Sequence, residues 1–383
     1  MQGQGCGLAA SNHQAALDRL HADVFRYNMA PYWVVDRGVA HDEDRQVMDG
    51  RKAIPHIWKY ATEIEPLLYR SAELISTETS ERRSLVLVNP GLAPKRATVT
   101  TLYVAYRLND PREIMPPHRH SPNAVRLGLT GEMNFTGVEG ENITFGPGDL
   151  VLTPHDTWHN HGNKGEEPAI NLSVLDLPLV ETLNSMYFEH DYSEEEEGQR
   201  VRRVMQSERF PVDYSQRAYG HGGLRPRFLT HHRGSGAASP MYVYRYEMMR
   251  ELLEKFRDWD GDPHEGLMIE YIDPTSGQPI YKTVTFFMQL LRPGEATLPL
   301  KQNASLVCAP FEGKGHSIIG GKRLDWERFD TFAVPGGTWC EHVNDSTREP
   351  AILFVASDEP TLRALAFYQK HGKTKAGDVI RLA

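Results

Sequence analysis

The 383-residue sequence predicts a mainly β protein, with two copies of one β barrel in a single chain behind a helical N-terminal segment. Three observations lead to that class. Between Leu85 and Leu175 the chain runs as short β-rich stretches cut by Gly and Pro turns, the pattern of a sandwich or barrel. The hydrophobic content of 40% fits a globular protein long enough for two ordinary domains. A pair of motifs from the first half recurs 182 and 181 positions later, which is the mark of an internal repeat.

Taken in order, Leu17, Leu20, Val24 and Phe25 fall at helical spacing within 12–29, with Asn12 placed to cap a helix there. A second helix is expected over 57–74. Strands are expected over 98–106, 124–129, 132–136, 150–153 and 169–175. The acidic run Ser193-Glu194-Glu195-Glu196-Glu197-Gly198 then reads as a solvated linker, because blocks of like charge rarely pack. A helix over 249–259 and a strand over 283–291 open the second copy. The expected division is a helical segment at 1–80, a first barrel with a metal site at 81–184, a linker at 185–225 and a second barrel without metal ligands at 226–383.

Bulk composition narrows the function. Apolar runs such as Ser84-Leu85-Val86-Leu87-Val88 are strand-sized and far short of a membrane span. The first residues show no basic stretch followed by an apolar one. Three cysteines cannot frame a disulfide scaffold and suit a reducing compartment. A net charge of −9 disfavours nucleic acid as a partner. The expectation is a cytoplasmic protein with neither membrane nor nucleic-acid partners.

The chemistry sits in the first copy. Pro116-Pro117-His118-Arg119-His120 is followed 39 positions on by His159, beyond the turn Gly146-Pro147-Gly148-Asp149. Residues i and i+2 of a strand point the same way, so His118 and His120 offer two imidazoles to one side and His159 can complete a metal-binding face. Such a face leaves positions open for small ligands, and imidazole suits several transition metals. In the second copy Leu300, Gln302 and Cys340 stand at the corresponding positions, a set that would not hold a metal. Arg126 follows His120 by six residues and would share its face on a continuous strand, where a guanidinium suits a bidentate clamp on a carboxylate. His161 has the parity of His159 and is a candidate acid/base beside the metal.

These residues resemble the cupin superfamily. Its second motif matches at Gly148, Pro154, His159 and Asn163, with Asp156 in place of an inner Gly. Its first matches at His118, His120 and Gly131, but the usual Glu position holds Ala124 or Val125. The missing carboxylate narrows the resemblance to the bicupin gentisate 1,2-dioxygenase family, which includes salicylate and 1-hydroxy-2-naphthoate dioxygenases. Ala30-Pro31-Tyr32-Trp33, Pro55-His56-Ile57-Trp58-Lys59-Tyr60 and the stretch Glu81-Arg82-Arg83-Ser84 onward to Leu92 are also similar to that family. The likeness implies two double-stranded β-helix (jelly-roll) barrels and a homotetramer. It also implies one Fe(II) per chain on His118, His120 and His159.

The resemblance further implies a reaction in which a 2-hydroxybenzoate chelates the metal, O2 is inserted, and the ring opens between the carboxyl- and hydroxyl-bearing carbons. Three neutral imidazoles leave a divalent ion its full +2 charge, which suits a dianionic chelator. Arg126 and Arg82 match the family's substrate-binding arginines, with Arg83 adjacent to the second, and His161 matches its histidine beyond the third ligand. Where such enzymes have Gly and Gln, this chain has Ala105 and Arg107; where they have Trp and Asp, it has Asn171 and Ser173. Those changes predict a larger pocket, one acceptor fewer and one cation more if Arg107 faces inward. They point to a larger, differently substituted or more anionic acid than gentisate. The rival expectations are a different metal-cupin enzyme, an isomerase or hydrolase, and a non-catalytic ligand-binding cupin.

Overall fold

The computed structural model describes residues 5–27, 29, 52–75, 83–224, 226–229 and 237–383, and divides into residues 1–52 and 53–383. In the first unit a helix runs Gly5–Arg26. It begins earlier than expected, so Asn12 is interior rather than a cap; Ala9 and Ala10 extend it and Gln14 bonds Asp18 one turn on at 2.9 Å.

In the second unit the first half builds a six-stranded sheet, a three-stranded sheet and two two-stranded ribbons. Its strands are β1 (His56–Trp58), β2 (Ser84–Val86), β3 (Tyr103–Asn109), β4 (Arg119–His120), β5 (Ala124–Thr130), β6 (Asn134–Val138), β7 (Glu141–Phe145), β8 (Leu150–Thr153), β9 (His159–Asn163) and β10 (Ala169–Leu175). Then come β11 (Phe188–Glu189), β12 (Ser193–Glu196), β13 (Gln199–Arg202) and β14 (Val243–Tyr244). One sheet runs β14-β8-β5-β10-β3-β2 and the other β7-β6-β9, all antiparallel. The ribbons are β4–β11 and β12–β13, while β1 joins a sheet of the second half. The strand expected over 98–106 starts later because Thr98 is committed to a tight turn: its hydroxyl bonds the Leu87 carbonyl at 2.8 Å and receives the Val104 amide at 3.0 Å. The turn before β8 needs Gly148 at φ +83°, where a Cβ would also meet the Tyr246 ring at 2.3 Å.

The second half repeats the first. Its strands are β15 (Leu267–Glu270), β16 (Thr285–Leu291), β17 (Leu300–Gln302), β18 (Leu306–Glu312), β19 (Gly315–Ile319), β20 (Lys322–Trp326), β21 (Thr331–Val334), β22 (Trp339–Asn344), β23 (Ala351–Ser357), β24 (Lys370–Lys373) and β25 (Val379–Arg381). Leu175 pairs with Tyr103 in the first half, and Ser357 with Thr285 in the second, one repeat length on. Turn chemistry repeats as well: Asp176 accepts the Asn123 amide at 2.8 Å, and Asp358 accepts the Ser305 amide at 2.7 Å.

Two strands cross between the halves. β1, inside the segment expected to be helical, pairs with β21, so the helix expected over 57–74 starts later, as a π-helical turn at Tyr60–Ile64 that runs into an α-helix at Glu65–Leu74 with Pro66 in its first turn. β14, from beyond the expected linker, pairs with β8. Residues 185–224 carry the strands β11, β12 and β13. The acidic run forms the hairpin β12–β13, and Glu194 is buried, accepting the Ser207 amide at 2.9 Å and bonded to the Tyr192 hydroxyl. Two hydroxyls and an amide, rather than solvent, hold its charge, so this Glu of the acidic run is not solvated as expected. One apolar core, from Leu108 and Val125 to Phe286 and Phe354, continues through both halves.

Candidate metal centre

His118, His120 and His159 converge as expected. Each offers a ligand nitrogen, and the three lie within 4.8 Å of one another in a buried setting. β9 brings His159 opposite His118 through an isolated antiparallel bridge, while β4 presents His120. Backbone carbonyls orient the rings. Nδ1 of His120 donates to Pro122 at 2.9 Å, Nδ1 of His159 to Thr157 at 2.8 Å, and Nδ1 of His118 lies 3.5 Å from the Pro116 carbonyl. Protonation at Nδ1 turns the Nε2 lone pairs of His120 and His159 toward the centre. This donor set, neutral and preoriented, fits a divalent transition ion.

His161 follows on β9 with its ring 5.0 Å from that of His159 and 5.4 Å from that of His118. Its Nδ1 faces the Thr136 hydroxyl at 3.1 Å, and it does not belong to the ligand cluster. Burial, followed by the nearby charge of Arg126, pushes its pKa well below the usual histidine range, so the ring is neutral. The second half keeps this pair: Nδ1 of His342 lies 2.7 Å from the Ser317 hydroxyl, and burial lowers its pKa to about 4. The histidine–hydroxyl contact thus belongs to the barrel, and only the first half places it beside a cluster of three histidines.

Beside His120 a cavity of about 390 Å³ opens over the inward face of the six-stranded sheet. Arg107, Arg126 and Ser173 line it, together with Ala105 and Ser84. The strand carrying His120 is not continuous with that of Arg126, since Ser121-Pro122-Asn123 interrupts it and starts a different sheet. Arg126 still faces the cavity because β5 lies beside β10, with Ser173 its direct partner, and its guanidinium bonds the Thr153 hydroxyl at 2.9 Å. Arg107 faces inward on β3 and contacts the Met115 sulfur. Asn171 pairs with Arg107 and bonds Asn134 at 3.2 Å, and does not line the cavity. Arg82 lies outside the described residues. Its neighbour Arg83 is buried against Asp110 and Glu113, a structural ion-pair cluster.

Sequence reasoning missed a strap over the centre. β11 pairs with β4, setting Phe188 opposite His120 and stacking its ring on His118 at 5.3 Å and 14°. Phe188 and Met186 line the cavity, and the His190 ring packs on Phe188 at 4.6 Å. The alternation Met186, Phe188, His190 carried a strand signal inside what read as a linker. Arg96 and Glu181, both exposed and also lining the cavity, had no such signal.

In the second half Leu300 pairs with Cys340 as His118 does with His159, and Gln289, Cys308 and Val355 replace Arg107, Arg126 and Ser173. The space left there is about 20 Å³. Apolar and neutral side chains have filled the equivalent site.

Two barrels of this topology, one carrying a buried three-histidine cluster over a cationic cavity, define a bicupin with a single candidate metal centre. A Cupin domain model matches residues 109–175. Gentisate 1,2 dioxygenase 1 of Aquipseudomonas alcaligenes is 34% identical over 90% of this chain and 93% of its own. 5-Aminosalicylate 1,2-dioxygenase of Comamonas is 32% identical over 96% and 94%. The crystal structure of salicylate 1,2-dioxygenase from Pseudoaminobacter salicylatoxidans with gentisate superposes with a TM-score of 0.81 at 29% identity, covering 94% of each chain. The chain belongs to the gentisate 1,2-dioxygenase family and is a ring-cleaving dioxygenase.

Proposed function

We propose that the protein opens the ring of a 2-hydroxybenzoate between its carboxyl- and hydroxyl-bearing carbons, adding both atoms of O2, with one Fe(II) held by His118, His120 and His159. The observation that carries this reading is the preoriented three-histidine cluster opening onto a cavity with buried guanidiniums. Ferrous iron, when bound, supplies Lewis acidity and an electron path between an ortho-hydroxy acid and O2. The protein does the rest by placement. Arg126 clamps the substrate carboxylate beside His120, and we assign Arg82 a supporting contact on the same grounds of likeness. His161, neutral and facing Thr136, handles the phenolic proton. Arg107 and Ser173 shape the cavity wall and, with Asn171 as the cross-strand partner of Arg107, select ring substituents, and Phe188 keeps water from the centre.

We further propose that the functional barrels are 81–184 and 226–383, and that the protein works as a homotetramer in the cytoplasm. Among the described residues no helix is long and apolar enough to cross a membrane, and light scattering on the purified protein tests the tetramer.

The defining experiment is oxygen uptake by iron-loaded enzyme with gentisate, salicylate, 5-aminosalicylate and 1-hydroxy-2-naphthoate, with His118→Ala as control. Uptake equal to ring-opened product, absent in the control, supports the reading. Turnover without O2, or metal bound with no uptake on any of these acids, sinks it.

A further inference from the structure

The wall of the cavity beside His120 has a depth and a mouth. His120, Arg126 and Ser173 are buried in it, whereas Arg96, Glu181 and Met186 are exposed and so mark the mouth. Arg96 stands on a loop whose backbone is pinned on either side. The Lys95 amide bonds the Leu92 carbonyl at 3.0 Å, and the Asn89 amide bonds the Ala97 carbonyl at 2.9 Å. Asn89 is itself buried, and its side-chain amide donates to the Ile54 and Thr98 carbonyls at 2.9 and 3.1 Å. The guanidinium of Arg96 is thus carried on a fixed stem at the mouth. Glu181 reaches the same rim from the short helix Leu177–Thr182. Among the described residues neither Arg96 nor Glu181 has a side-chain ion-pair partner, and the two do not pair with each other.

An aromatic acid is an anion at neutral pH, and its carboxylate must shed water to enter a buried cavity. A guanidinium at the mouth meets that carboxylate before any buried group does. A charge-assisted contact there offsets part of the lost hydration and raises the local concentration of the acid. The carboxylate of Glu181, on the same rim, opposes it. We propose that Arg96 is a positioning residue for the ring-cleavage reaction: it takes the substrate carboxylate at the mouth, and the acid then enters carboxylate-first toward Arg126. This rests on the ring-cleavage reading above, in which the cavity holds the substrate. Its effect falls on capture rather than on the chemical step, because Arg96 stays at the rim while the ring opens beside His120.

The test follows oxygen uptake by the iron-loaded full chain with salicylate and gentisate, and binding of the same acids by calorimetry without oxygen. It compares the natural protein with Arg96→Gln, Arg96→Lys and Glu181→Gln, all changes at exposed positions. Arg96→Gln should raise KM and weaken binding by about three- to tenfold while kcat stays within about twofold. Lysine should restore most of that loss, and Glu181→Gln should improve capture by about twofold. The differences should shrink toward about 1 M salt, where the screening length is about 3 Å. Unchanged KM and affinity in Arg96→Gln overturn the proposal, as does a loss confined to kcat or one equally large in Arg96→Lys. If the natural protein takes up no oxygen with either acid, calorimetry still decides. Weaker binding by Arg96→Gln then upholds capture and counts against ring cleavage, whereas equal binding, or none to the natural protein, rejects both.

Discussion

At the scale of the residue, two buried groups give sharp expectations. Arg126 meets Thr153 through one nitrogen of a planar fork, and a lysine in its place would keep the charge but lose two-point contact with a carboxylate. Arg126→Lys should lower kcat/KM by about 10- to 100-fold with metal content unchanged, read by steady-state kinetics beside iron analysis. An unchanged kcat/KM would place the carboxylate elsewhere. Asp358 illustrates linkage. Burial, the largest effect, pushes its carboxyl up to about 6, against the hydrogen bonds from Thr101 and the Ser305 amide. An acid whose pKa is raised by folding stabilises the protein most when protonated, and that contribution falls as pH rises from about 4 through 6. Asparagine keeps both contacts without the charge. Asp358→Asn should therefore match the natural protein near pH 4 and melt higher at pH 7, by an amount on the order of 1–3 kcal/mol in stability. A variant that melts lower at pH 7 would show that the ionised form is the stabilised one.

At the scale of the element, the strap β11 lies over the candidate metal centre. Its pairing with β4 fixes Phe188 against His118, and the stack is worth about 0.5–1.5 kcal/mol beyond its buried area. Phe188→Ala should leave the fold intact, judged by circular dichroism, while iron is lost to a competing chelator several times faster. Equal loss rates would make the strap a lid for substrate alone. The hairpin β12–β13 was hidden in the sequence for a definite reason. Charge patterning reads each Glu as solvated, whereas the tertiary partners Tyr192 and Ser207 bury one of the four and leave the others outward.

At the scale of the whole molecule, the barrels exchange edges. β1 completes the sheet of the second barrel, β14 that of the first, and Tyr106 reaches across to the Phe329 carbonyl and, at 2.6 Å, the Thr331 hydroxyl. Each half without the other leaves unpaired strand edges and open core, which favour association. Residues 226–383 produced alone should aggregate or elute as oligomers, whereas 53–383 should unfold in one calorimetric transition. A monomeric, cooperatively folding 226–383 would show that the crossed strands are dispensable. The second barrel then has a role that needs no chemistry: it supplies half of a continuous core.

Much of this was legible in the chain. The convergence of His118, His120 and His159, the duplicated architecture and the strands at 150–153 and 169–175 followed from local text, because residue spacing, turn residues and alternation are short-range signals. The repeat by itself assigned Leu300, Gln302 and Cys340 to the silent site, since a shared register needs no coordinates. What tertiary structure alone decided is long-range. The exchange of β1 and β14, the strap over His118 and the cavity that Arg107 faces depend on partners distant in the chain, the farthest being those of β1, where His56 meets Ala333. No local pattern encodes such a partner, because each contact exists only once the sheets have closed around one core and excluded water from the groups between them.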